Sequence, residues 1–273
     1  MPRRLRISII GCGAIGGSLA RAINAQFRSR ARLSALYDID RQKSLRLAGD
    51  LKSPGLAVKD LGSALRKADL LIEAASARVS FGIAMSAVSA GRDIMVMSVG
   101  GLLKGYRRLE NEALKKGSRV FIPSGAISGI DALKAAKLAG VKKVTLITTK
   151  PPEAFSSVPY IQKKGISLSK IKKDKVIFEG SALKATRAFQ QNVNVAATLS
   201  LAGIGPHKTR VRIVASPGLK RNMHRIEIES GSGRIVTSTE NVIHPANPKT
   251  SYLAVLAALA TLEGILGPFK IGN

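Results

Sequence analysis

Cys12 is the only cysteine in this 273-residue chain, which excludes an intrachain disulfide and any cysteine-built metal site. No metal cofactor is expected. Tryptophan is absent and aromatic residues make up only 4%, so there is no aromatic-laced strand of the kind that stacks nucleic-acid bases. Acidic residues are scarce too: 17 Asp and Glu face 44 Lys and Arg, a net charge of +27. Charge of that size attracts nucleic acid or anionic small molecules. The bases are spread over "RRLRIS", "RQKSLR", "KKVT", "IQKKGISLSKIKKDK" and "LKRNMHR", with no concentrated tail and no zinc-finger spacing. A solvated basic surface, or anionic ligands, is therefore expected in place of a nucleic-acid partner. No apolar run reaches the ~18–20 residues of a bilayer span, so no membrane association is expected. The opening "MPRRLRISIIGCG" superficially resembles a secretory leader, but its short apolar stretch runs into a glycine-rich turn and reads as a strand. A cytoplasmic location is the expectation.

What is present is alternation. Apolar runs at 5–10, 33–38, 68–76, 93–99 and 119–125 are separated by helix-like segments, the signature of βαβ units and a parallel sheet. The runs are rich in Ile, Val and Leu without polar alternation, as strands covered on both faces require. Beyond about residue 125 the pattern changes. A helix is expected over 128–140 and a strand over 141–150, stopped by Pro151–Pro152. Residues 161–175 read as a basic loop or excursion, and 182–203 as helical at both ends around "QQNVN". Alternating strands then follow in "TRVRIVAS", "HRIEIES" and "GRIVTSTEN", the last two joined at "GSG" as a hairpin. A helix at 250–266, apolar around much of its circumference, should be buried. The fold class is thus α/β: a Rossmann dinucleotide-binding domain over 1–122, completed by the C-terminal helix (246–273), and a second α/β domain with an open-faced sheet over 123–245. An open sheet leaves a face to cover, so a homodimer or higher homo-oligomer is expected.

The clearest motif is G-x-G-x-x-G, carried by Gly11, Gly13 and Gly16 between a buried-type strand and a helix. Gly11 permits the tight turn, Gly13 lets backbone approach a pyrophosphate, and Gly16 lets helix pack on strand. The helix N-terminus, from Ala14 and Ile15 onward, offers unpaired N–H groups and a positive dipole end to the phosphates. Asp38 ends the second strand, 22 residues after Gly16, suited to the ribose hydroxyls of NAD. Arg41, three residues on, could accept the 2′-phosphate of NADP. Ala75 and Ser76 follow the third strand at its carboxyl end, where ligands gather in such sheets, as does Ser98 after the fourth.

The chain has three histidines. His207 lies in a turn-like "GIGPHKTR", and His244 adjoins "NPKTS". His224 shares strand parity with Ile226 and Ile228, while Arg225, Glu227 and Glu229 take the other face. Parity alone leaves a satisfied core histidine and a catalytic base both open.

The blocks "GCGAIGGSLA", "IEAAS", "MSVGGL", "PSGAISGIDALKAA", "NVNVAATLSLAG", "NMHRIEIES" and "NPKTSYLAVLAALATL" resemble, in order and over almost the whole chain, the L-aspartate dehydrogenases. That resemblance implies NAD(P)-dependent oxidation of L-aspartate through iminoaspartate, which yields oxaloacetate and ammonia or feeds NAD biosynthesis. It implies His224 as the catalytic residue, facing a cleft where nicotinamide meets aspartate, and dinucleotide contacts from Ala126 and Asn192, with Asn194 close behind. The chemistry agrees: hydride removal needs a neutral amine and imine hydrolysis an activated water, and a base near neutrality serves both. Two substrate carboxylates call for cationic and hydroxyl donors. Asn194, Lys249, Thr250 and Ser251 are the substrate candidates, with Lys150 a further one; Thr250 or Ser251 could equally be a plain helix cap in a turn. A related dehydrogenase acting on homoserine or dihydrodipicolinate is the first alternative, and a non-catalytic dinucleotide-sensing protein that binds nucleic acid, suggested by the +27 charge, is the second.

Overall fold

Asp and Gly residues punctuate the first half where helices must begin or the chain must turn. In the computed structural model, which describes residues 4–189, 194–244 and 247–272 (backbone only at 247–249), the order is β1 (Leu5–Ile10), α1 (Ala14–Ala25), β2 (Ala31–Tyr37), α2 (Arg41–Asp50), α3 (Leu61–Lys67), β3 (Leu70–Glu73), α4 (Ala77–Ser89), β4 (Asp93–Val96), α5 (Tyr106–Lys116) and β5 (Val120–Phe121). Asp40 caps α2 by accepting the Gln42 N–H at 3.2 Å, and Asp60 caps α3 through the Ser63 N–H at 2.7 Å. Each such cap is worth about 1 kcal/mol. The five strands form a parallel sheet in the order β2-β1-β3-β4-β5. Ile7, Ile9, Leu70 and Ile72 are fully buried in it, each contributing roughly 1.5–3 kcal/mol by leaving water. The order reverses between β1 and β3, which makes the carboxyl edge of these two strands the place for a ligand.

The second half continues with α6 (Ile130–Leu138), β6 (Val141–Lys150), α7 (Pro159–Lys163), β7 (Lys175–Ser181), α8 (Ala182–Ala188), α9 (Asn194–Ala202), β8 (Arg210–Ala215), β9 (Asn222–Ser230), β10 (Gly233–Asn241), β11 (Ile243–His244), β12 (Asn247–Ser251) and α10 (Tyr252–Leu266). Its main sheet has the order β10-β9-β6-β8-β7, with only β6 and β8 parallel. Val144, Leu146, Ile226, Ile228, Val211 and Ile213 point from one face into a core shared with α6, α8 and α9. Contacts divide the chain into two compact units, 1–123 with 255–271, and 124–254 with 272–273. No helix among the described residues is long and apolar enough to cross a membrane.

Four expectations change. The 161–175 segment is not a free excursion: Ile161 and Ile171 are buried, and Tyr160 packs within 5.2–5.6 Å of Phe189 and Phe178, in a cluster completed by Phe155. Four of the chain's eleven Phe and Tyr residues therefore anchor a basic stretch whose lysines hid its apolar positions. Next, α10 buries only a stripe. Ala258 and Leu262 pack with the first unit's core and Val255 is buried, whereas Leu253 and Leu256 are 37% and 41% exposed, because a helix on one surface hides one face only. Third, "NPKTS" is not a turn; β12 pairs antiparallel with β11. Last, the sheet face without helices is not apolar: Lys143–Glu229, Arg212–Glu179 and Arg225–Glu227 form ion pairs across it. The physical reason given for a homo-oligomer therefore does not hold on that face.

Candidate active site

The dinucleotide loop is built as its glycines require. Gly11 has φ +96°, and a β-carbon there would strike the backbone of Ala74 and Ala75, so the loops after β1 and β3 touch. At Gly16 a β-carbon would meet the Gly11 carbonyl oxygen and, at 3.2 Å, Ile9. Gly13 is different: it is the N-cap of α1, no side chain caps that helix, and a β-carbon would meet nothing within 4 Å. The loop therefore holds open space beside the uncapped first turn at Ala14 and Ile15, a cradle that fits a pyrophosphate. The Asp38 carboxylate accepts the Cys12 N–H at 2.7 Å and the Asp40 N–H at 2.9 Å, which fixes it at the rim of this loop. Its oxygens retain capacity for ribose hydroxyls. Burial first, then the Asp38 charge, push the Cys12 thiol up to about 12. It is a filler, not a nucleophile.

Ala75 and Ser76 are exposed at the head of α4, and the Ser76 hydroxyl makes no capping bond although the residue is the N-cap. What places them is Glu73, a residue the sequence reading passed over. Its side chain is fully buried and its two oxygens accept N–H bonds from Ala75 (2.8 Å) and Ser98 (3.0 Å), tying the loops after β3 and β4 together. Burial raises its pKa, and the hydrogen bonds from Ser98, Ala75 and Met97 oppose that rise. The signal was available: a glutamate ending an otherwise apolar strand has to find donors at the strand's end.

In the second unit, one row of the sheet assembles the catalytic candidates. Thr148, His224 and Thr239 are register partners across β6, β9 and β10. His224 is 6% exposed on the helix-covered face, and its Nδ1 lies 3.0 Å from the Thr148 hydroxyl. Lys150 shares the inward parity of Thr148 on β6. Burial draws Lys150 down to about 8; burial and then the Lys150 charge draw His224 down to about 3. The imidazole is thus drawn below the near-neutral range expected of a base. Ala126 is held in the same neighbourhood, its carbonyl accepting from Asn241 Nδ2 (3.0 Å) and Thr239 Oγ1 (3.2 Å). Thr239 Oγ1 also reaches the His224 carbonyl at 3.4 Å, and the buried Asn241 Oδ1 has no hydrogen-bond partner among the described residues. Thr148, Thr239 and Asn241 were missed because nothing in the sequence sets them apart from ordinary strand polars.

The remaining candidates are scattered. Asn194 is exposed at the start of α9, and Asn192 lies outside the described residues. Thr250 and Ser251 sit in β12, partly buried, and no hydrogen bond among the described residues joins them to His224. The Lys249 backbone belongs to the same strand, and its side chain lies outside the description. His244 is buried and stacks edge-on against Tyr252 at 5.5 Å, whereas His207 is an exposed turn residue.

The pairing of His224 with Lys150 has a measurable consequence. A histidine whose folded pKa lies below the ordinary 6.5 stabilises the fold fully above that value, and the contribution is lost as pH falls toward 3. The slope is at most about 1.4 kcal/mol per pH unit. Lys150→Met removes the second cause of the depression. The His224 titration followed by NMR is expected to move up, and the acid loss of stability to become shallower. An unchanged His224 titration would show that burial acts alone.

A parallel sheet with a phosphate-binding loop at its switch point, joined to a mixed sheet carrying a buried histidine, defines a nicotinamide-dinucleotide-dependent oxidoreductase of Rossmann type. Residues 11–123 match the family described as "Homoserine dehydrogenase, NAD binding domain", and residues 131–265 the family "Aspartate dehydrogenase, C-terminal". The chain is 46% identical to an L-aspartate dehydrogenase of Methanosarcina acetivorans, over 98% of this chain and all of the relative, and 44% identical to that of Methanosarcina mazei over the same shares. A crystal structure of aspartate dehydrogenase from Thermotoga maritima superposes with a TM-score of 0.74 at 26% identity, covering 99% of this chain and 100% of that one. The chain belongs to the L-aspartate dehydrogenase family.

Proposed function

We propose that this chain oxidises L-aspartate with a nicotinamide dinucleotide, and that His224 is its base. Aspartate, water and the oxidised dinucleotide give oxaloacetate, ammonia, the reduced dinucleotide and a proton. The observation that carries the reading is the buried His224, locked at Nδ1 by Thr148 beside Lys150, in a chain matched end to end by relatives named for this activity.

The dinucleotide, when bound, supplies the hydride acceptor. Gly11, Gly13 and Gly16, with the first turn of α1 at Ala14 and Ile15, hold its pyrophosphate. Asp38 takes the adenine-side ribose, and Ala75, Ser76, Ala126 and Asn192 line its course. With Nδ1 engaged by Thr148, Nε2 is the nitrogen that takes the ammonium proton, passes it to solvent, and then accepts a proton from the water as its oxygen attacks the imine carbon. A ring held near 3 is too weak a base for that, and the substrate itself corrects it. A dicarboxylate brought beside Lys150 and His224 favours the protonated form of both and lifts their pKa values. Asn194, Lys249, Thr250 and Ser251 serve as its further carboxylate donors.

The test is absorbance at the reduced-dinucleotide band with L-aspartate, L-homoserine and dihydrodipicolinate offered separately, each with NAD+ and NADP+. Turnover is expected with aspartate alone, and faster with NAD+, because the Asp38 carboxylate repels a 2′-phosphate. Equal turnover with another of these substrates would overturn the substrate assignment.

A further inference from the structure

At the edge of the second sheet farthest from His224, the starts of β6 and β8, the end of β7 and the ends of α6 and α9 enclose a pocket of about 810 Å³. That is the size of a small-molecule site, commonly ~300–1,000 Å³. Its charge is one-sided. Lys137, Lys142, Lys143, Lys208 and Arg210 line it, with Glu179 the one carboxylate among the lining residues and His207 beside them.

The lysines could merely offset local negative charge, and the magnitudes decide against that. Lys143 is matched by Glu229 and Glu179 by Arg212, both at 3.3 Å, so these cancel. Lys137, Lys142, Lys208 and Arg210 have no carboxylate partner among the described residues. The C-termini of α6 and α9 end here, at Leu138 and Ala202, and each contributes about half a negative charge. Four cations against about one negative charge leave about three positive charges around an open-sided cavity. Such a cluster is self-repelling, and a counter-charge of similar size relieves it. The half-buried Val141 and Ile204 add an apolar wall that a bare inorganic anion would not use.

We propose that this pocket binds a nucleoside di- or triphosphate, with the phosphates on Lys137, Lys142, Lys208 and Arg210 and the base against Val141 and Ile204. It is separate from the dinucleotide loop, which lies in the other unit. It is also separate from the catalytic row: Val141 and Thr148 are seven residues apart on one strand, about 23 Å at the usual strand rise. The ligand therefore does not compete with the reaction site for space.

The experiment uses the full chain and a fluorescent N-methylanthraniloyl ATP, titrated with NAD+ already saturating. Binding is expected to persist under NAD+, to be displaced by unlabelled ATP and by tripolyphosphate, and to weaken with added salt. Lys142→Glu/Lys208→Glu is expected to lose tenfold or more in affinity for the probe while NAD+ affinity stays within twofold. All the altered side chains are exposed, and Arg210→Ala provides an independent variant if the charge-reversed protein melts early. Displacement of the probe by NAD+, or an unchanged affinity in both variants, would overturn the assignment. So would duplex DNA that displaces the probe at lower concentration than ATP, since the surface would then be one for a nucleic-acid backbone. Failure of the aspartate assay would leave these outcomes untouched.

Discussion

His224→Ala is expected to lower kcat for aspartate oxidation by 10²- to 10⁴-fold, the range that a positioned acid–base group supplies, while the Kd for NAD+ changes less than twofold. The two readouts separate because they belong to different parts of the chain. The loop proposed to cradle the pyrophosphate is made by Gly11, Gly13 and Gly16 with Asp38 in the first unit, whereas His224 belongs to the second. Removing the imidazole also strips the Thr148 hydroxyl of its partner at a buried position, so stability falls by about 1–3 kcal/mol. His224→Asn restores a polar partner without the proton chemistry. It should recover much of the melting temperature and little of the turnover. If it recovered turnover, His224 would be an anchor for the sheet rather than the base.

The second large effect is a contrast between two glycines three residues apart. Gly13→Ala places a β-carbon in open space at an N-cap with φ −76°, a conformation any residue adopts. The fold should lose about 1 kcal/mol or less, yet NAD+ affinity should drop tenfold or more, because the new carbon stands where the pyrophosphate must approach. Gly16→Ala does the reverse in cause and the same in outcome. Its β-carbon meets the Gly11 carbonyl, a backbone atom that cannot swing aside, and Ile9 behind it. A loss of about 1–3 kcal/mol in urea unfolding is expected, with binding lost because the turn itself is displaced. Equal melting temperatures for the two variants would contradict the assignment of open space at Gly13 and contact at Gly16.

How far the sequence could be read depended on what each element rests upon. β1, β3 and β4 are rich in Ile, Leu, Val and Met and largely buried, so pattern alone located them, as it did the Gly11–Gly16 loop and the inward parity of His224. β7 and α3 were passed over. The apolar positions of β7 follow a lysine-rich run, and α3 is seven residues of mixed polarity whose start is marked only by Asp60. Thr148, Thr239 and Asn241 were invisible for another reason: each matters through a partner distant in sequence, such as the pairing of Asn241 with the Ala126 carbonyl 115 residues away. The electrostatics of His224 lay further out of reach, since the depression of its pKa comes from burial and from a lysine on another strand.

The row Thr148–His224–Thr239 has an evolutionary consequence. His224, the proposed base, is held by strand pairing on both sides of β9, whereas Ala126 and the β11–β12 ribbon lie outside the main sheet. Connecting segments accept insertions and substitutions that a central strand does not. If the proposed roles hold, a lineage can exchange the groups that greet the substrate while the His224 ring stays in register. Selection for a new amino acid would accumulate changes around 124–129 and 243–251 long before it disturbed β9, and directed evolution of this scaffold has its productive positions in those same segments.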